Sequence, residues 1–437
     1  MRCLKSIQLF SLLTLVSLSV QAQCPWEEKE VEVLGAAHFS EYSREELWDL
    51  KMNIRHQMNQ AYEQDEFDLE CSKIARDLFY KIREKEDYLD EQMLRQEGVV
   101  ALDHSFEDSK YLRMNPRYSD RNLLNVLRSG DVILSRGKAY TSAAISNLGE
   151  FDTQFSHLSF VYQDEEGKFW TIESHIEVGA FVRDLEDHID DKNARTVVFR
   201  YQDPELAHQA AKAAFEKVKT AFYTRGPINY DFGFDKQDSS ELFCSEVVSH
   251  GFDLVTNNSI DIPLYESEIF KRKPKIVTQL GLKAQKSFIP ADIEVDPRFE
   301  LISEWKNPNI IADILQKDAV LHALFKWSDE EGHILQQGST GTSLLYRNIV
   351  WPMRRVPILK RFFLDKLPLN MSREMVGYFG VLETIGKILH KELIQAEDEL
   401  LSTESRILSA EEKGQVLEDF RSKNTKQAKK FRKSFHP

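Results

Sequence analysis

The chain has 437 residues, of which 42% are hydrophobic and 29% charged, with a formal net charge of −14 at pH 7. Its length suggests two or three domains, and its apolar content is enough to build packed cores. The acidic balance argues against a general nucleic-acid binder, which would carry a basic footprint.

At the N-terminus, Arg2 and Lys5 precede an apolar run over 7–20 (IQLFSLLTLVSLSV), which is short for a membrane span. Val20-Gln21-Ala22 follows as a small-residue cleavage site, so 1–22 reads as a cleavable signal peptide and the mature chain as periplasmic or secreted. Gln23 stands where a small residue precedes a lipidated cysteine, which weakens a lipoprotein reading of Cys24. No later apolar run approaches 18 residues, so no transmembrane helix is expected in the mature chain. Cys3 leaves with the leader, and Cys24, Cys71 and Cys244 remain. An odd cysteine in an oxidising compartment is paired between molecules or is a free thiol. The expected arrangement is a Cys24–Cys71 disulfide with Cys244 left free; the bland alternative makes Cys244 a small buried hydrophobe.

Residues 43–98 read as a helical hairpin, opened by a capping-box pattern at Ser43 and Glu46 and interrupted by an acidic turn at 63–67 (EQDEF). Asn115-Pro116 breaks this pattern, and strand-like runs follow at 131–134 (DVIL), 157–162 (HLSFVY), 169–172 (FWTI), 180–182 and 196–201. The second and third of these, joined by the polar turn 164–167 (DEEG), predict a β-hairpin. An Ala-rich helix is expected over 204–220, a short helix over 241–255 starting near Cys244, and a last strand over 299–302. Helical patterns return after about residue 306, the longest over 375–401. The last sixteen residues hold six Lys or Arg and read as a solvated tail, with a peripheral contact to anionic envelope material as the minority reading.

A thiolate, not a thiol, attacks a carbonyl, so a nucleophilic cysteine needs a helix N-terminus or a neighbouring imidazole. Cys244, in LFCSEVV, sits where a helix is expected to begin, and backbone N–H groups there favour a thiolate or a developing oxyanion. Among the histidines at 104, 157, 175, 188, 208 and 250, His157 opens an apolar strand and suits a rigidly held base. His188 and His208 lie among charged residues and read as surface positions. His250 falls on another helix face from Cys244. Glu173, at the end of the return strand, is placed to orient His157; His175, on the same face by the period of two, is the decoy.

The segments 130–134 (GDVIL), 155–161 (FSHLSFV), 171–174 (TIES) and 242–248 (LFCSEVV) together resemble the YiiX/YaeF-type hydrolases, permuted members of the NlpC/P60 papain-like superfamily. In that family the order is His, acidic residue, Cys, the reverse of papain. Runs 178–185 (VGAFVRDL) and 289–293 (IPADI) and the Tyr230-Asp231 pair extend the resemblance to roughly 120–305. It implies an α+β fold with a circularly permuted papain-like core of antiparallel sheet and helices, flanked by helical extensions. The resulting division is 1–22 leader, 23–115 helical region, 116–306 catalytic domain and 307–437 helical region with a basic tail. It also implies Cys244 as nucleophile, His157 as base and then acid, Glu173 as orienting group and Tyr230 as site-lining or oxyanion-assisting residue, with Tyr223 and Tyr201 as alternatives and a packed loop aromatic as the structural reading. Asp131 reads as a structural turn residue.

The expected function is an exported cysteine hydrolase or amidase that forms a thioacyl-enzyme on an envelope amide or ester, either a peptidoglycan peptide or an acyl- or lipid-linked amide. The alternatives are an inactive papain-like binding scaffold and a thiol-dependent acyltransferase. No HExxH or CxxC spacing is present, so neither a metal nor another cofactor is expected, although His157, Glu173, His175 and His188 cluster in sequence. There is no G-x-S-x-G elbow for a serine hydrolase.

Overall fold

The structure is a computed structural model that describes residues 24, 26, 42–97, 111–119, 122–149, 152–189, 193–236, 239–269, 274–279, 281–282, 284–353, 356 and 370–437. The expected leader, 1–22, and His104 lie outside the described residues. Among the described residues no helix is long and apolar enough to cross a membrane.

The N-terminal hairpin forms as expected from helices α1 (Arg44–Glu63) and α2 (Leu69–Glu97). Ser43 and Glu46 make the reciprocal capping box, satisfying two backbone donors that a helix start leaves open. Leu47, Ile54 and Met58 of α1 pack on Ala75, Leu78, Phe79 and Ile82 of α2. A disulfide ties Cys24 to Cys71 of α2, and among the described residues Cys244 is the free cysteine.

At the centre is a seven-stranded antiparallel sheet. Its strands are β1 (Leu112–Met114), β2 (Asp131–Arg136), β3 (His157–Gln163), β4 (Phe169–His175), β5 (Gly179–Asp184), β6 (Arg195–Tyr201) and β7 (Phe299–Lys306). Their spatial order is β1-β7-β6-β2-β3-β4-β5. Side chains alternate across it, as the period of two requires. Val132, Leu134, Leu158, Phe160, Ile172 and Phe199 face α4 (Pro204–Arg225) and α5 (Glu246–Thr256), forming the largest core. Ile133, Val161, Val198 and Ile302 face the other way, onto a smaller cluster with Leu123 and Val126. Asp131 is structural, as its position suggested: its carboxylate takes a bidentate pair from Arg200, at 2.7 and 2.8 Å, and caps Arg128 N.

The hairpin docks on the sheet through charge as well as apolar contact. Lys51 and Lys306 both reach Glu86 at 2.9 Å, Asp87 pairs with Lys306 and Arg195, and Arg76 pairs with Asp292 at 2.7 Å. All these residues are buried. The IPADI segment therefore serves as a docking ledge: Asp292 also accepts hydrogen bonds from Ser267, and Glu294 pairs with Arg83.

Beyond β7, α6 (Pro308–Glu331), α7 (Arg373–Glu404), α8 (Ala410–Ser422) and α9 (Lys426–Ser434) share one apolar core. Here the basic tail departs from expectation. It is not a solvated segment but a helix whose Ala428, Phe431 and Ser434 are buried, followed by Phe435 paired in a short antiparallel ladder with Leu335. The lysines occupy one face of an amphipathic helix whose other face completes the core, a pattern that a count of charges does not register.

Candidate active site

The site grows out of the β3–β4 hairpin. Its register pairs Phe160 with Ile172 and Val161 with Thr171. Carried three residues on, the same register sets His157 against His175, and their rings lie edge to face with centroids 4.7 Å apart. Glu173 lies diagonal to His157 on the same face, within reach across an antiparallel pair. His157 Nε2 is 2.9 Å from Glu173 Oε2, the pairing expected of a base and its orienting carboxylate.

Glu173 holds more partners than the sequence suggested. His175 Nε2 also lies 2.9 Å from Oε2, while Oε1 accepts from Thr171 Oγ1 at 2.6 Å and Arg183 Nε at 2.7 Å. His188 Nδ1 is 3.0 Å from Oε1. The expected surface position of His188 is therefore corrected: the residue is buried, because the short helical turn Leu185–Ile189 folds its ring back over the carboxylate. Burial pushes the Glu173 carboxyl pKa upward, but His188, His157 and His175 outweigh it and hold it well below the ordinary carboxylate range. For His157 burial wins over the Glu173 hydrogen bond, and the pKa falls to about 4. The ring is thus neutral across ordinary pH and can accept a proton. The other two histidines with sequence-based placements lie apart: His208 is bonded to Ser129 Oγ at 2.8 Å, and His250 contacts Lys217.

Cys244 arrives from the far side of the sheet edge. Gly179 opens β5 at φ +78°, where a Cβ would stand 2.1 Å from the carbonyl oxygen of Ile228. That close approach lets Ile228 bridge to Ala180 and Asn229 to Glu241. Leu242 N then bonds Asn229 O, and Ser174 Oγ bonds Leu242 O at 2.6 Å. These ties keep 241–243 extended, so α5 starts at Glu246 rather than at 241, and Cys244 stands two residues before its first turn. The sulfur is 4.0 Å from Ser156 O and is approached by the backbone N–H groups of Leu158 and Ser245. Burial pushes the thiol up to about 12 against those donors.

One cavity, of about 170 Å³, is lined by Cys244, His157, Ser156, His175, His188 and Tyr230. Tyr230 is buried, with its ring against Phe232 and Phe243, and burial followed by the nearby sulfur of Cys244 raises its hydroxyl pKa well above the usual value. Its partner in the Tyr-Asp pair does something else: Asp231 accepts from Gly233 N and Asp235 N and shapes the loop. Tyr201 packs in the main core and Tyr223 is exposed, so of the three tyrosines considered Tyr230 is the one that lines this cavity. A larger cavity of about 480 Å³ lies between α2, α6 and α8, lined by Tyr80, Glu84, Asp318 and Lys413. Neither Cys244 nor His157 borders it.

Residues 126–303 match the family of permuted papain-like amidases, the YaeF/YiiX, C92 family. The fold expected from that resemblance, antiparallel sheet with helices and helical extensions on either side, is the one observed. No curated protein matches the chain significantly. A solved structure described as the metalloprotein yiiX from Escherichia coli O157:H7 is 17% identical, covers 40% of this chain and 96% of its own, and superposes with a TM-score of 0.31. The matched region is thus similar to permuted papain-like amidases, which supports an amidase kind of enzyme.

Buried beside the sulfur is Glu246, whose Oε2 accepts from Phe243 N at 2.6 Å and whose carboxyl is pushed by burial up to about 8. It is therefore neutral in the folded chain at pH 7. A carboxyl with a raised folded pKa contributes its stability below its unfolded value, about 4.5, and loses it as pH climbs to the folded value. Glu246→Gln should therefore gain stability over the native chain progressively from pH 5 to 8 and hold that gain above 8. Melting curves at stepped pH check this; a difference independent of pH would show that Glu246 ionises as freely folded as unfolded.

Proposed function

We infer that the protein is an exported cysteine amidase in which Cys244, His157 and Glu173 act as a triad on an amide of the cell envelope. The observation that carries this reading is the Glu173–His157 bond at 2.9 Å, with His157 and the only described free cysteine, Cys244, lining one cavity. Glu173 engages Nε2 of His157, leaving Nδ1 as the ring nitrogen that takes the thiol proton. Cys244 Sγ then bonds the substrate carbonyl carbon. The C–N bond breaks, the His157 proton leaves on the amine, and water hydrolyses the thioester to the free acid and the thiol. The N–H groups of Leu158 and Ser245 that approach the sulfur stand close to where the oxyanion develops. Tyr230 closes the cavity beside them. The Cys24–Cys71 disulfide supports an oxidising compartment.

A metal-centred reading would use His157, Glu173 and His175, whose ligand atoms lie within 4.8 Å of one another. The Arg183 guanidinium and His188 on the same carboxylate count against it, since they already supply its positive and donor partners.

Thiol labelling tests the triad. In the mature protein, iodoacetamide should modify Cys244 at least about tenfold faster than in His157→Ala, because only the thiolate reacts. Adducts mapped by peptide mass decide it; equal rates in the two proteins would remove His157 from the activation of Cys244.

A further inference from the structure

Bordering the Cys244 cavity is a second, apolar one of about 40 Å³. Thr141, Ile145, Ile176 and Tyr230 line both. The far wall is Phe232, Phe234, Leu282 and Phe379. No charged side chain lines it. Phe379 belongs to α7, outside the 126–303 segment that matches the amidase family. The same extension grips the loop that carries Tyr230: Asn370 Nδ2 donates to Tyr230 O at 2.7 Å and to Glu241 Oε1 at 3.2 Å. Met371, Met375 and Val376 pack on Ile176 and Phe232 behind it.

We propose that the C-terminal extension completes the substrate site: the slot walled by Phe379 receives the acyl portion of the substrate, which is a short, uncharged, apolar group. The inference rests on the amidase reading. A thioacyl-enzyme places its acyl carbon on Cys244 Sγ, and the apolar space bordering that cavity beyond Tyr230 is this slot. An acyl carboxylate there would be desolvated with no cation to pair it, a cost that apolar chains do not carry. Specificity for the acyl side is thereby set from α7, a helix 135 residues beyond Cys244 (379 against 244).

The test is a series of anilides with one chromogenic leaving group and acetyl, butyryl, hexanoyl or succinyl as the acyl group, hydrolysed by the full mature chain and by Cys244→Ala. Butyryl should exceed acetyl in kcat/KM by about tenfold, from the two methylenes newly buried. Succinyl, equal to butyryl in carbon count, should fall below it by at least about tenfold. Phe379→Ala, which removes a wall, and Ala144→Leu, which fills the slot from α3 (Tyr140–Ser146), should both flatten the ratio of butyryl to acetyl turnover. Turnover that depends on Cys244 but shows no acyl preference, or favours succinyl, overturns the slot and leaves the amidase standing. Absence of Cys244-dependent turnover across the whole series overturns the amidase reading and the slot with it.

Discussion

Cys244→Ala should leave a folded protein in which hydrolysis of envelope amides falls by about a thousandfold or more, the loss expected when a covalent nucleophile is removed. Folding should change little. The residue is buried among Phe243, Ala143 and Tyr230, and losing one sulfur from that cluster costs on the order of 1 kcal/mol. The two readouts separate chemistry from packing. Purified cell-wall fragments and lipid extracts, digested with each protein and compared by mass spectrometry, should show products from the native chain alone. Identical product patterns would support the scaffold alternative, in which the papain-like domain binds and does not cleave. Added amines or alcohols that capture the acyl group in place of water would point to the acyltransferase.

Glu173→Gln should be the most damaging single change to the site's structure. The carboxylate is fully buried and is shared by His157, His175, His188, Thr171 and Arg183. An amide cannot accept from all of them, and it removes the negative charge that faces Arg183. Breaking a buried pair by removing one partner costs about 3–5 kcal/mol. The depressed Glu173 pKa gives the sign of the pH effect: its stabilisation is complete above the unfolded carboxyl value and is lost only as pH falls through the much lower folded value. The deficit of the variant should therefore be constant from pH 5 upward and shrink in stronger acid. Thiol labelling should slow by about a hundredfold, because the imidazole loses its orienting partner. Thr171→Val is the control; it removes one hydrogen bond and should cost about 1 kcal/mol. Chemical denaturation and alkylation rates at pH 7 report both quantities. A Gln variant as stable and as reactive as the native chain would show that Glu173 is a passive resident of the strand.

How far the sequence could be read is clearest around Glu173. The β3–β4 hairpin was legible because alternation and a four-residue polar turn are local signals, and they place Glu173 beside His157 without further information. His188 and Arg183 were not. Arg183 meets Glu173 because β5 pairs back on β4 with Glu173 opposite Phe181 and Thr171 opposite Arg183, and His188 because a helical turn then doubles over the strand. Extending the hairpin register to the VGAFVRDL run would have pointed to Arg183; no local signal marks His188, whose neighbours are acidic. The start of α5 is read five residues too early because apolar periodicity extends through Leu242 and Phe243, whereas the chain there is held straight by Asn229 and Ser174. Phe379 and Asn370 reach the site across more than a hundred residues, a contact that no spacing rule encodes.

The ion cluster beneath the hairpin imposes an order on the making of the molecule. Asp87 and Glu86 are synthesised early, but Arg195, a partner of Asp87, follows it by 108 residues, and Lys306, a partner of Glu86, follows it by 220. Glu86 has Lys51 of α1 from the start, but until the final strand of the sheet emerges Asp87 cannot be buried with both of its cations, Arg195 and Lys306, in place. Such late-arriving counter-charges make completion of the fold conditional on synthesis of the chain as far as Lys306.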